Sequence, residues 1–299
     1  GPAFGVNGAT YPVETSDGGR EIRCLDVGEN PPAGALIYYR LSEDAKDGVT
    51  LTIRDDQGEK VAQFASGDEA APMTSRPSTR AGLNRFVWDL RYTGPEPIDT
   101  SLEARAYQPF AKSPGRAPGA WAMPGQYTVE LSAKGSTHTA QFNVVKDPRL
   151  DTTQEDFRAQ FKVSVAITDG QTKVNRAVNQ IRILKRQLKG FSARLLAEHS
   201  SFASRSTDLI DALETLEGQL VDIERETPRD VLRRPGGLHD RLADVMWTVS
   251  IADAAPPSQA TEVAAEVIAS VDSVLGQLEA LVANDISAFN DEHISTSIS

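Results

Sequence analysis

"THTAQFNVVKDPRLDTTQEDFRAQF", residues 137–161, changes its period halfway along, and that change decides the fold. Its first ten residues are strand-like, rich in threonine and valine with an aromatic among them. After Asp147-Pro148 that character stops. Thr152 followed three residues later by Glu155 has the spacing of a capping box, and Phe157, Phe161 and Val165 then recur at four-residue steps. A β region therefore precedes an α region, with the boundary near residue 148.

Working back from that boundary, residues 35–148 hold short β-like runs: "ALIYYRL", "VTLTIRD", "EKVAQFA", "LNRFVWDLR" and "QYTVELS". Turn signals such as Asp55-Asp56-Gln57-Gly58 separate them. Six or seven strands with no helical pattern between them predict an antiparallel β-sandwich of immunoglobulin-like type. Residues 1–34, rich in glycine, proline and polar side chains without sustained periodicity, read as an extended N-terminal arm or linker. Gly1-Pro2 has the look of a protease-cleavage scar, which implies a natural sequence upstream.

Working forward, residues 149–299 read as a helical bundle of three to four long helices. The first continues through Val174, Val178, Ile181, Leu184 and Leu188 for about 35 residues, or roughly 50 Å. A second carries Leu209, Leu213, Leu216, Leu220 and Ile223. A third follows Pro235-Gly236-Gly237 with Leu238, Leu242, Val245, Val249 and Ala252. The fourth lines up Val263, Val267, Val271, Val274, Leu278 and Leu281. Narrow apolar stripes on polar helices fit shallow-angle bundle packing. Charge predicts a pairing. Residues 170–197 carry Lys173, Arg176, Arg182, Lys185, Arg186, Lys189 and Arg194 and no acid, whereas beyond Arg241 there is no lysine or arginine while acids accumulate. The first and last helices are expected to be neighbours, antiparallel or nearly so.

The chain of 299 residues has 31 basic and 42 acidic side chains, a net charge of -11. That balance argues against a sequence-independent grip on nucleic acid or anionic membrane. No apolar run reaches the roughly 18 residues of a membrane span. Cys24 is a single thiol, which excludes an internal disulfide and a multi-thiolate zinc site. The four histidines, His138, His199, His239 and His293, lie far apart, so no metal is expected, and no motif implies a cofactor. No nucleophile elbow or phosphate cradle appears, and no residue is assigned a catalytic role. Asp89 follows Trp88 within a strand, where accepting backbone or arginine hydrogen bonds is the expected role and Trp88 is expected in the core.

The stretch from residue 92 to residue 125 is long for a connection between strands, and such excursions are usually functional or disordered. It carries Tyr92, Tyr107, Phe110 and Trp121, more aromatics than a linker normally has. These four are the candidate interface or ligand contacts. The competing reading is a loop folded back over its own domain.

"GLNRFVWDLRY" followed by "MPGQYTVEL" resembles the strand pair of the immunoglobulin-like module found in the flagellar hook-cap protein and many secreted bacterial proteins. Extended through "PPAGALIYYRL", "VKDPRL", "AVNQIRILKRQL" and "GGLHDRLADVMWTVSIADAAPPSQ", the chain is similar to the C-terminal region of large bacterial proteins with sortilin-like, BNR-type repeats, labelled glycosyl hydrolase or exo-sialidase. The resemblance implies a secreted or periplasmic protein with a β-propeller upstream, where any sugar-cleaving site would sit. No S-x-D-x-G-x-T-W box occurs in this chain, so no catalytic residue is carried over. The function it implies is a non-catalytic accessory region that packs on or positions that propeller, or binds a separate protein partner. The rivals are part of a glycosidase site, with Asp89 or Glu103 contributing, and a carbohydrate-binding module using Trp121 and Tyr107.

Overall fold

The computed structural model describes residues 10–14, 20–24, 32–69, 71–102, 117–195, 200–222 and 236–297. A β domain is followed by a helical domain, as the change of period predicts. The region read as an arm contains an antiparallel hairpin, β1 (Thr10–Glu14) and β2 (Arg20–Cys24), in which Pro12 faces Ile22.

Six strands make the β domain: β3 (Ala35–Leu41), β4 (Val49–Arg54), β5 (Lys60–Ala65), β6 (Gly82–Trp88), β7 (Gly125–Ala133) and β8 (Ser136–Val144). β3 and β6 form one antiparallel pair, with Ile37 opposite Phe86. The other four form an antiparallel sheet in the order β5-β4-β7-β8. Both sheets feed one apolar core, with Tyr39, Phe86 and Trp88 from the pair and Leu51, Ile53, Val61, Tyr127 and Val129 from the four-stranded sheet. Trp88 is fully buried at its centre, against Tyr127 at 5.5 Å and Phe142 at 5.9 Å between ring centroids. Its indole N–H donates to the Arg91 carbonyl at 3.0 Å, so the one polar atom of the ring is satisfied.

The linker is held by its own charges. Lys146 Nζ donates to the carbonyls of Leu150 and Thr152, and Arg149 pairs with Asp147. Helix α1 (Gln154–Leu195) then starts one residue later than the Thr152/Glu155 spacing predicts. Thr153 is the N-cap: its hydroxyl accepts the Asp156 N–H at 3.2 Å, and the Asp156 carboxylate accepts the Thr153 N–H at 2.9 Å. The shorter aspartate closes the box from Thr153. Thr152 instead donates its hydroxyl to the Asp253 carbonyl, tying the helix start to the turn around residue 253.

α1 has 42 residues, about 63 Å at 1.5 Å each. The remaining helices are α2 (Ser200–Leu220), α3 (Leu238–Ser250), α4 (Ser258–Ala280) and α5 (Ser287–Ser297), with a π-helical turn Leu281–Ile286 joining the last two. α2 runs antiparallel to α1, with Ser206 against Leu188 and Glu217 against Arg182 and Lys185. α3 continues in the same direction along the lower half of α1: Gly170 abuts Leu242, and Gln160 Nε2 donates to the carbonyls of Val249 and Ala252. Gly237 lies on the backbone of Leu220 and Val221, so α2 and α3 meet end to end.

The five described helices therefore make three rods, running up, down and up, and this corrects one expectation. The first and last helices are neighbours, joined by Lys173 Nζ to Asp272 at 2.7 Å and by Phe191 against Phe289 at 5.4 Å, but they run parallel, not antiparallel. The break before α3 interrupts a rod instead of reversing it, so the described helices change direction only twice. Val263, expected in the apolar stripe, is exposed. The stripe of α4 passes through Ala260, Ala264, Val267, Val271, Val274 and Leu278. Ile223 lies outside the described residues.

The basic stretch of α1 is also divided among more partners than the acidic last helix. Arg182 Nε meets Glu217 Oε1 at 2.7 Å and Lys185 Nζ meets Glu217 Oε2 at 2.9 Å, all three side chains being buried between α1 and α2. Removing one member of such a cluster leaves buried charge uncompensated. Glu217→Ala is expected to lower stability by about 3–5 kcal/mol in urea unfolding followed by helical circular dichroism. A loss below about 1 kcal/mol would show that the cluster is not buried as described.

Candidate interaction site at the domain seam

The loop that leaves β6 is built from its two stems. Asp89 ends the strand and accepts the Arg91 N–H at 3.2 Å, while Leu90 turns the chain at φ 60°. From there the outgoing and returning strands zip together. Tyr92 N–H donates to the Ala120 carbonyl at 2.9 Å, Ala122 N–H donates to the Leu90 carbonyl at 2.8 Å, and Arg91 bridges Trp121. The approach is close enough to demand glycine at both crossings. A Cβ on Gly94 would stand 1.7 Å from the Ala117 carbonyl oxygen, and one on Gly119 would stand 2.4 Å from that of Tyr92.

Beyond the zipper the chain lies along α1 as a strap. Glu96 N–H reaches Thr172 Oγ1, Asn175 Nδ2 donates to the Glu96 carbonyl at 2.6 Å, and Arg176 grips the Glu96 carboxylate with two nitrogens. Asn179 then receives the Asp99 N–H at 2.8 Å and donates to the Pro97 carbonyl at 3.2 Å, and Arg186 donates to the Ser101 carbonyl at 3.0 Å. Residues 172, 175, 176, 179 and 186 recur at helical spacing on one face of α1. Ile98 packs against the bundle core. The loop, read either as a docking surface or as folded back over its own domain, packs over residues 94–102 on the helical domain of the same chain.

Of the four candidate residues, the structure brings Tyr92 and Trp121 to the seam. The Tyr92 ring sits on Phe161 of α1 at 4.7 Å. Its hydroxyl lies beside Tyr127 and Asp55, and burial is the main reason that its pKa is pushed well above the ordinary tyrosine value. Burial also pushes the Tyr127 hydroxyl up to about 12, and that hydroxyl donates to the Met123 carbonyl at 2.8 Å. Trp121 is 39 % exposed, with the Arg91 guanidinium stacked 3.6 Å from its ring centroid, so one face of the indole is taken. Beneath it a crevice of about 30 Å³ is lined by Phe157, Gln160 and Ser164, room for about one water. Tyr107, Phe110 and Glu103 lie outside the described residues.

Asp89 is turned to water. The protein atoms around its carboxyl push its acidity weaker, and the Arg91 N–H and guanidinium pull it back. Its work is the turn at the end of β6, as expected of a strand-end aspartate. Among the described residues no group of three or more His, Cys, Asp or Glu is placed to hold a metal ion, and no helix is long and apolar enough to cross a membrane.

The face that remains open lies on the other side of the β domain. On the outer surface of β3 and β6, Leu36 faces Val87, Tyr38 faces Arg85 and Arg40 faces Leu83. Tyr38 is 57 % and Leu83 74 % exposed, and Leu36 is exposed beside them. Sequence reasoning did not single these residues out, although "ALIYYRL" is apolar on both faces of a strand and thereby carries the signal. Compared with known proteins, the chain matches no family model and no curated protein.

Two outcomes follow from this geometry. Gly94→Ala should force the stems apart, so the amides of Tyr92, Thr93 and Asp99 should exchange with deuterium about tenfold faster or more, while those of β4 and β7 keep their protection. Unchanged protection at all three would contradict the zipper. Tyr127 has a folded value above its unfolded one near 10, so its contribution is complete below pH 10 and is lost as pH rises towards 12. The thermal melt of Tyr127→Phe should therefore fall less steeply than that of the native chain between those values, with equal slopes as the contrary result.

Proposed function

We propose that this chain is a non-catalytic accessory region of a secreted protein of the sortilin-like, BNR-repeat kind, and that it seats the β-propeller of that protein on the outer face of β3 and β6. In this reading the two facing sheets are an immunoglobulin-like sandwich, and the helical domain, strapped to it by residues 94–102, is its rigid support. The observation that carries it is the exposed face on which Leu36, Tyr38, Leu83 and Val87 are interspersed with Arg40 and Arg85. Exposed aliphatic and tyrosine side chains set among arginines are a usual mark of a protein-binding surface. It begins on β3, the first strand after the segment through which an upstream domain would join. The candidate loop supports the reading in another way: its described stems are spent on internal contacts, which leaves the sheet face as the docking surface. A sugar-stacking role for Trp121 has less support, because Arg91 already covers one face of its ring.

Titration calorimetry tests the reading. The propeller of a sortilin-like, BNR-repeat protein, expressed separately, should bind the full chain with a dissociation constant of about 1–50 µM. Tyr38→Asp should weaken that binding about tenfold or more, since it places a charge in the middle row of the face, beside Leu36 and diagonal to Leu83 and Val87. No heat at several hundred micromolar, on the order of the weakest useful affinity, would defeat it.

A further inference from the structure

β8 is an outer strand of the four-stranded sheet, and the chain treats its two outer strands differently. On the β5 side the edge is sealed: Thr93 N–H donates to the Val61 carbonyl at 2.9 Å, and Val61 and Ala62 are buried. β8 is bare. All nine of its residues are exposed or half-exposed, it pairs with β7 residue for residue without a bulge, and "STHTAQFNV" holds no proline and no charge. Natural sheets usually blunt a long exposed edge with lysine, proline or a bulge. None of these is used here. The core margin is open on the same side, since Phe142 and Val144 are only partly covered and Ala140 and His138, on the same face, are exposed.

The turn before β8 settles which backbone groups are free. Lys134 and Gly135 have φ of 53° and 72°, as in a two-residue type I′ hairpin, and Ala133 faces Ser136 across it. The pair that flanks such a turn is hydrogen-bonded, and bonding alternates from there. Ser136, His138, Ala140, Phe142 and Val144 thus turn their N–H and C=O groups towards β7. Thr137, Thr139, Gln141 and Asn143 turn theirs outward.

We propose that β8 pairs with β8 of a second copy of this chain, antiparallel about a two-fold axis at Ala140. The register is self-consistent. With Ala140 on the axis, Thr139 falls opposite Gln141 of the second copy and Thr137 opposite its Asn143. Every outward-facing residue then lies in a hydrogen-bonded pair, about eight bonds from four pairs exchanging two each. Ala140 meets its counterpart in a non-bonded pair, where side chains come closest and a small one fits best. His138 comes to lie opposite Phe142 of the second copy, and Ser136 opposite its Val144, so each open core margin covers the other. Because β8 carries no charge, no like charges are set opposite each other at the axis, although the chain as a whole has a net charge of -11. The two sheets become one of eight strands, and the outer face of β3 and β6 is left free.

Sedimentation velocity on the full chain from about 5 to about 200 µM should show a monomer–dimer equilibrium. Ala140→Lys sets two charges against each other at the axis, at a position exposed in the single chain. Thr139→Pro removes one outward donor, at a site where an edge strand tolerates proline. Each should weaken the dimer about tenfold or more while the helical melt stays unchanged. A monomer at every concentration overturns the proposal, and so does a dimer that both variants leave intact.

Discussion

The arrangement of the molecule rests on a set of side-chain amides that satisfy main-chain groups across a domain boundary. Asn175 and Asn179 of α1 donate to the carbonyls of Glu96 and Pro97, and Asn179 takes back the N–H of Asp99. A loop carried onto a neighbouring domain brings backbone donors and acceptors that lose water, and each one left unmet costs about 1–3 kcal/mol. By meeting them, two asparagines a helical turn apart turn a connection into a strap. The Arg176–Glu96 pair beside them is exposed and screened by solvent, so it aligns more than it stabilises. With Tyr92 on Phe161 and Gln154 Nε2 on the Pro124 carbonyl, the strap makes α1 part of both domains.

Inside the bundle the same helix selects its partners by charge. Glu217, held by Arg182 and Lys185, offsets little of the cost of burying three charges, and apolar residues of similar volume would often serve stability as well. What the cluster does is forbid alternatives, because any other register of α2 on α1 would bury one of those charges alone. Lys189 near Glu214 extends the pattern at the surface. Basic residues that looked destined for the acidic last helix are thus distributed among α2, the strap and α4.

Much of this was legible in the residues. The change of period at Asp147-Pro148, the burial of Trp88 and the apolar stripes of α1 and α2 follow from spacing alone. Other features leave no such trace. A glycine-proline break looks the same whether the chain reverses or continues, so the collinearity of α2 and α3, and with it the parallel sense of α1 and α4, could not be read. The strap was hidden because its acceptors are backbone carbonyls, which have no side-chain signature. The exposed face of β3 and β6 was half legible: "ALIYYRL" is apolar on both faces, but alternation does not say which of them another layer covers.

Strap and seam together hold the two domains as one rigid body. With Cys24→Ser, spin labels on cysteines introduced by Glu59→Cys in the β domain and Glu279→Cys in α4, both exposed positions, would report the distance between the domains by double electron–electron resonance. A single narrow distance distribution is the predicted result. A broad or bimodal one, in a chain whose β strands and helices remain folded, would contradict the account.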